Sequence, residues 1–400
     1  MQSRPILILI LAGGLISLIA MGSRAAFGLF LEPVSSEFGW GREVFGLSLA
    51  IQNIVWGLSQ PFASAIADKY GSGRTLVVSG IVYAAGLFLM SQTGSAMELH
   101  LSAGLMIGLG LSGTGFGVVI GSVGRAVPEE KRSMALGIVG ASGSLGQFLM
   151  VPMGQAFLSS YGWSMALVLI GCCALLMIPA SAWVRGRAED SAAAGAASLS
   201  AAIREAAGNG SYWLLFFGFF VCGFHVTFVA VHLPAYIVDM NVAPKYGAIA
   251  LSVVGLFNVI GSLASGYLGG KYSKKYLLST LYFLRAALFV AFILIPISPV
   301  TIIVFAATLG LLWLSTVPLT SGLVAVLFGP KYMTTLFGFV FFGHQVGAFL
   351  GAWIGGVAFD MFGSYDIVWW MSVGLGVLSG VLHWPIREGL TVTRAAASTG

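Results

Sequence analysis

Long apolar stretches alternate with short polar punctuation from one end of the chain to the other. With about 20 mostly apolar residues taken as one bilayer crossing, the pattern predicts spanning helices near 6–31, 44–67, 75–93, 99–124, 133–157 and 163–184. After an interruption it predicts six more, near 211–237, 246–269, 276–295, 299–327, 334–358 and 366–385. The interruption, "GRAEDSAAAGAASLSAAIREAAGNG" from Gly186 to Gly210, is polar, small and Ala-rich, and reads as a linker with one short surface helix around Ser198 to Ala207. The expected organisation is therefore an N-terminal six-helix bundle over 1–185, a linker over 186–210 and a C-terminal six-helix bundle over 211–400. The first apolar run exceeds the roughly 7–15 residues of a cleaved signal peptide's core, and no convincing small-residue cleavage site follows it. It is read as a retained span.

Composition supports an all-α integral membrane protein. Of 400 residues, 58% are hydrophobic and 8% charged, against about 25% charged in soluble domains. Charge also gives orientation. Fifteen of the nineteen Lys and Arg, among them Lys69, Arg74, Arg125, Lys271 and Arg387, fall on one face of this topology. The other face has only Arg42 and Lys245, so both termini are expected on the cytoplasmic side of a cell (inner) membrane. With the net charge of +5 spread along that face, nothing points to nucleic acid. The three cysteines (Cys172, Cys173, Cys222) lie in apolar segments without metal-site spacing and read as packing residues. No metal or other cofactor is implied.

The two halves repeat each other. An offset of 202 lays "ADKYGSGRTL" (from Ala67) on "GGKYSKKYLL" (from Gly269), and an offset of 201 lays "LGIVGASGSLGQFL" (from Leu136) on "FGFVFFGHQVGAFL" (from Phe337). Such duplication implies two bundles related by an axis along the membrane normal, with a site near the midplane between them. With these residues the chain resembles the major facilitator superfamily. "GLSQPFASAIADKYGSGRTL" looks like its signature loop, in which Asp68 and Arg74 would latch the cytoplasmic side. The second-half loop, "GYLGGKYSKKYLL", keeps basic residues such as Lys271 but has no Asp. "GSRAAFGLFLEPVSSEFGWGRE" and "VPEEKRSMALGIVGASGSLGQF" are similar to the first- and fifth-helix signatures of monocarboxylate transporters and oxalate:formate exchangers.

One charge breaks the first apolar run: Arg24, in "MGSRAAFGLFL". It could snorkel to the outer edge, about 10 Å away at 1.5 Å per residue. Alternatively it faces a cavity, with the substrate's carboxylate as the missing counter-charge, which is the role the resemblance implies for a first-helix basic residue. Arg285, in the ninth helix, is expected to bond a neighbouring helix backbone. The eighth helix has Asn258 and Ser262 where monocarboxylate transporters carry an Asp and an Arg, and the eleventh has His344 where the oxalate exchangers have a Lys. His225 and His232, seven apart on the seventh helix, should face the cavity, and with His344 are candidates to carry a proton or bond a carboxylate. Gln345, Gln52 and Asn53 are further candidate substrate contacts, or equally interhelical glue.

The expected activity is secondary transport of a small organic anion by alternating access, proton-coupled or by exchange against a second anion, in a monomer. The competing reading is an efflux carrier for amphipathic xenobiotics, favoured by Trp56, Trp213 and Trp313 but lacking the proline-containing fifth-helix motif of drug:proton antiporters. A receptor or membrane enzyme finds no support, for the sequence has no nucleotide loop, metal cluster or nucleophile–base constellation.

Overall fold

The computed structural model describes residues 6–184, 196–329 and 333–389. Arg4, Arg185, Arg187, Lys331 and Arg394, which the topology assigns to the basic face, lie outside the described residues, as do linker residues 186–195. Among the described residues ten helices are long and apolar enough to cross a bilayer. Two features bring the crossings to twelve. Arg42–Tyr70, 29 residues long, is not among the ten because Gln52, Asn53, Gln60 and charged ends lower its hydropathy. The 48-residue run Met134–Ser181 doubles back at Gly162, whose φ of +77° is left-handed backbone open to glycine.

The crossings are α1 (Ile6–Phe38), α2 (Arg42–Tyr70), α3 (Ser72–Met90), α4 (Ala96–Ala126), α5 (129–161) and α6 (163–181). They continue as α7 (Gly210–Asp239), α8 (Lys245–Lys271), α9 (Lys274–Leu294), α10 (Pro299–Phe328), α11 (Met333–Phe362) and α12 (Asp366–His383). The linker carries the short helix Ala196–Ala207. Apolar side chains bury in two clusters, one built mostly from α1–α6 and one from α7–α12.

The halves share their tightest contacts. In the first, α1 meets α5 so closely that a Cβ on Gly146 would lie 2.0 Å from the Leu18 carbonyl oxygen, and one on Gly22 2.5 Å from the Gly146 oxygen. In the second, α7 meets α11 with Gly223 against the His344 carbonyl (1.8 Å) and Gly347 against the Phe220 carbonyl (1.9 Å). These are the same two positions in each repeat, displaced by 201 residues. Both halves also interrupt their fourth helix: α4 leaves helical geometry at Gly115, and α10 over residues 313–315.

The bundles touch along part of their length only. At the end away from the basic residues, Gly46 of α2 lies under Ala352 of α11, Gly356 under Arg42, and Gly28 of α1 under Ala230 of α7. Near mid-depth Gly255 of α8 rests on Ser144 and Phe148 of α5. Toward the basic face contact ends among the described residues: Gly137 and Gly140 of α5, Gly266 of α8 and Gly338 of α11 have none of them within 4 Å of a Cβ position. The two bundles are sealed at one face and diverge toward the other.

Candidate functional site

Arg24 stands where the seal ends. It sits just before a 3-10 turn, Phe27–Phe30, that tightens α1, and its side chain turns onto α2. One Nη donates to Asn53 Oδ1 at 2.7 Å, and the guanidinium carbon lies 5.2 Å from the centroid of the Trp56 ring. Nε–H is buried and has no partner among the described residues. Among the described residues no carboxylate pairs with Arg24; the ion pairs are Arg42–Asp239 and Arg125–Asp68. The side chain thus faces the neighbouring helix α2, and through it α11, instead of α7.

α11 closes the other side. Gln345 Nε2 donates to the Asn53 carbonyl at 3.1 Å across the bundle boundary, and His344 Nδ1 donates to Gln345 Oε1 at 3.0 Å. Trp56 meets Phe341 edge-on (5.5 Å, 73°), and Phe341 lies parallel to the His344 ring (5.7 Å, 9°). Trp56 N–H is spent on Gln60 Oε1 at 2.9 Å. Arg24, Asn53, His344 and Gln345 are therefore brought together.

A Major Facilitator Superfamily model matches residues 13–352. The chain belongs to the major facilitator superfamily. The rat (Rattus norvegicus) monocarboxylate transporter 13 is 26% identical over 401 residues, covering 94% of this chain and 89% of its own. The uncharacterized MFS-type transporter YcxA of Bacillus subtilis (strain 168) is 24% identical over 383 residues, covering 91% of each. Among solved structures, the xylose transporter XylE from E. coli in an inward open conformation superposes with a TM-score of 0.75 at 12% identity, covering 96% of each chain. A bacterial homolog of the human lysosomal transporter Spinster, inward-facing and unoccupied, gives 0.72 at 14% identity, covering 95% of this chain and 94% of its own.

Within this superfamily fold, several expected site residues sit elsewhere. His225 turns into its own bundle: Nε2 donates to the Ser372 carbonyl of α12 at 2.9 Å, and the ring stands edge-on to Phe289 of α9. The expectation that it faces the cavity is corrected; seven-residue spacing put it on one face with His232, and that face packs on α12 and α11. Gln52 points into the first bundle and donates to the Ala103 carbonyl at 2.7 Å. Asn258 does bridge the bundles, donating to Ser144 Oγ at 2.8 Å, but its oxygen accepts from Leu314 N–H (2.9 Å) and Ser262 Oγ (3.2 Å), leaving little for a substrate. Arg285 bonds backbone, as expected, donating to the Leu312 and Trp313 carbonyls freed by the α10 interruption.

At the basic face Asp68 pairs with Arg125, at the end of α4, at 2.9 Å; the expected partner Arg74 is exposed. Lys271 donates to Tyr267 on its own helix. At the sealed face Arg42, in sequence only an outlying charge, holds the two bundles together. Both its Nη atoms grip Asp239 of α7 (2.6 and 2.7 Å), and Nη1 also donates to Tyr365 (2.9 Å). Asp360 of α11 accepts the N–H groups of Arg42 and Glu43 at 2.8 Å each, capping the first turn of α2. Tyr365 in turn donates to His232 Nδ1 at 3.2 Å, while His232 Nε2 donates to the Ala352 carbonyl. The isolation of Arg42 on a face almost free of Lys and Arg was the available signal. Its partner, 197 residues away, was not visible.

Proposed function

We propose that the protein is a secondary transporter that carries a small organic monocarboxylate by alternating access, with Arg24 holding the carboxylate. One observation carries the reading: a guanidinium at membrane depth, where the bundles part, with a buried Nε–H unpartnered and no carboxylate beside it among the described residues. An uncompensated charge there is costly, and a bound carboxylate would neutralise it with matched geometry. The likeness to a transporter named for monocarboxylates supports the same substrate class. With the basic face cytoplasmic by the positive-inside rule, the divergent side opens inward and Arg42–Asp239 closes the outer side. Charge compensation comes from a co-transported proton or a counter-transported anion. For an amphipathic cation the cleft offers no carboxylate among the described residues.

Uptake of radiolabelled carboxylates into proteoliposomes tests this. Arg24→Ala should abolish carboxylate transport in a folded, inserted protein, because truncating one member of a desolvated charge pair costs about 2–5 kcal/mol, roughly 30- to 4,000-fold in affinity. Arg24→Lys should weaken binding and leave it measurable. Intact carboxylate transport in the Ala variant would refute the assignment.

A further inference from the structure

We infer that the transported anion carries a single negative charge on a flat, apolar body, an arylcarboxylate in chemical class; this rests on Arg24 as the carboxylate anchor and adds what lies beyond it. The charge count comes first. Among the described residues Arg24 is the one formal charge at mid-depth on the faces where the bundles meet, since Arg285 is sealed at 0% exposure inside the second bundle, its Nε and Nη2 on backbone carbonyls. A monoanion neutralises that site. A dianion would leave one charge uncompensated in a low-dielectric cleft.

The remaining chemistry limits the body. Asn53 spends one of its two amide N–H groups on the Leu49 carbonyl and its oxygen on Arg24. Gln345 donates to Asn53 and accepts from His344, and Gln147 donates to the Leu251 carbonyl across the α5–α8 contact. A substrate rich in hydroxyls would meet few free partners. Beside the guanidinium lies ring surface, Trp56 from one bundle and Phe341 from the other, with the His344 ring packed behind between Phe341 and Phe219. A carboxylate on Arg24 would lay a planar body against the Trp56–Phe341 pair, whose rings meet edge-on across the boundary, so one ligand would touch each bundle.

The test is thermal stabilisation of the purified full-length protein at pH 7.5, where carboxylates are ionised, with benzoate, phenylacetate, acetate, lactate and oxalate. One good aromatic pair contributes about 2- to 12-fold in affinity. Benzoate or phenylacetate should therefore half-saturate at about tenfold lower concentration than acetate or lactate, with oxalate weakest. Phe341→Leu, which keeps apolar volume and removes the ring, should narrow the aryl-to-acetate ratio to about threefold or less. A preference for oxalate, or equal half-saturation by acetate and benzoate, would overturn the aryl inference and leave the Arg24 reading standing. An unchanged ratio in Phe341→Leu would likewise remove the ring from the site. Stabilisation by none of the five, or by all equally in Arg24→Ala, would overturn both.

Discussion

Replacing Asp239 by Asn should unseal the face opposite the basic one. The substitution keeps the side chain's shape but puts an amide where a carboxylate grips both Nη atoms of Arg42. Truncating a fully desolvated ion pair costs about 2–5 kcal/mol, and a surface pair contributes about 0–1 kcal/mol. At 11% and 24% side-chain exposure, the Arg42–Asp239 pair lies nearer the first case, and we expect about 1.5–3 kcal/mol, a shift of roughly 10- to 150-fold between sealed and open populations. The Asp360 cap on α2 remains in the variant, so the seal weakens without the helix end unravelling. Spin labels at Gln92 and Ala243, both exposed and in different bundles, would report the separation of that face, after replacement of Cys172, Cys173 and Cys222. The wild type should show one short distance and Asp239→Asn a second, longer one. Arg42→Gln should do the same. Unchanged distance distributions in both variants would refute the seal, leaving the ion pair as a bystander to backbone packing at Gly46 and Gly356.

Other consequences are equally open to measurement. Arg285→Met should lower unfolding stability by about 2–4 kcal/mol, because two buried carbonyls lose their donors; unchanged stability with lost ligand binding would make Arg285 a substrate contact instead. His225→Gln should leave the pH profile of uptake as it is in the wild type, since the ring faces α9 and α12; a flattened profile would return the proton to His225. Gly146→Ala should cost about 1–3 kcal/mol by forcing α1 from α5, while Gly137→Ala, with open space around it, should be neutral in the same melting assay. Asp68→Asn removes a pair that is 36% and 48% exposed and should cost under about 1 kcal/mol; a larger melting shift would show that the pair carries the static fold.

Hydropathy and Lys/Arg distribution were enough to recover all twelve crossings, including the two that share one unbroken run through Gly162. Helix ends drifted where polar residues belong to the helix itself: α1 continues through Glu32 and Glu37 to Phe38, and α2 starts at Arg42. Arg24 and Arg285 stood out because a charge in an apolar segment has few permitted surroundings. Rotation about a helix axis was harder to read. α7 is apolar all round and largely buried, so its pattern does not say which face meets the other bundle, and seven-residue spacing alone misplaces His225. Asn258 and Gln52 show the same limit, because an amide in a span satisfies itself on neighbouring helices as readily as on a ligand. The Arg42–Asp239 contact depends on how two separate bundles dock, which local pattern does not encode.

Arg285 also bears on how the chain enters the membrane. Its carbonyl partners, Leu312 and Trp313, belong to the span that follows it in translation order. When α9 leaves the ribosome those carbonyls have not yet been made, and a guanidinium near the centre of a lone span costs about 2.5–3.5 kcal/mol on translocon scales. The interruption of α10 then supplies acceptors that an unbroken helix would have kept for itself. α9 and α10 are thus suited to partition into lipid as a hairpin, and α9 has reason to linger beside the insertion machinery until its successor arrives.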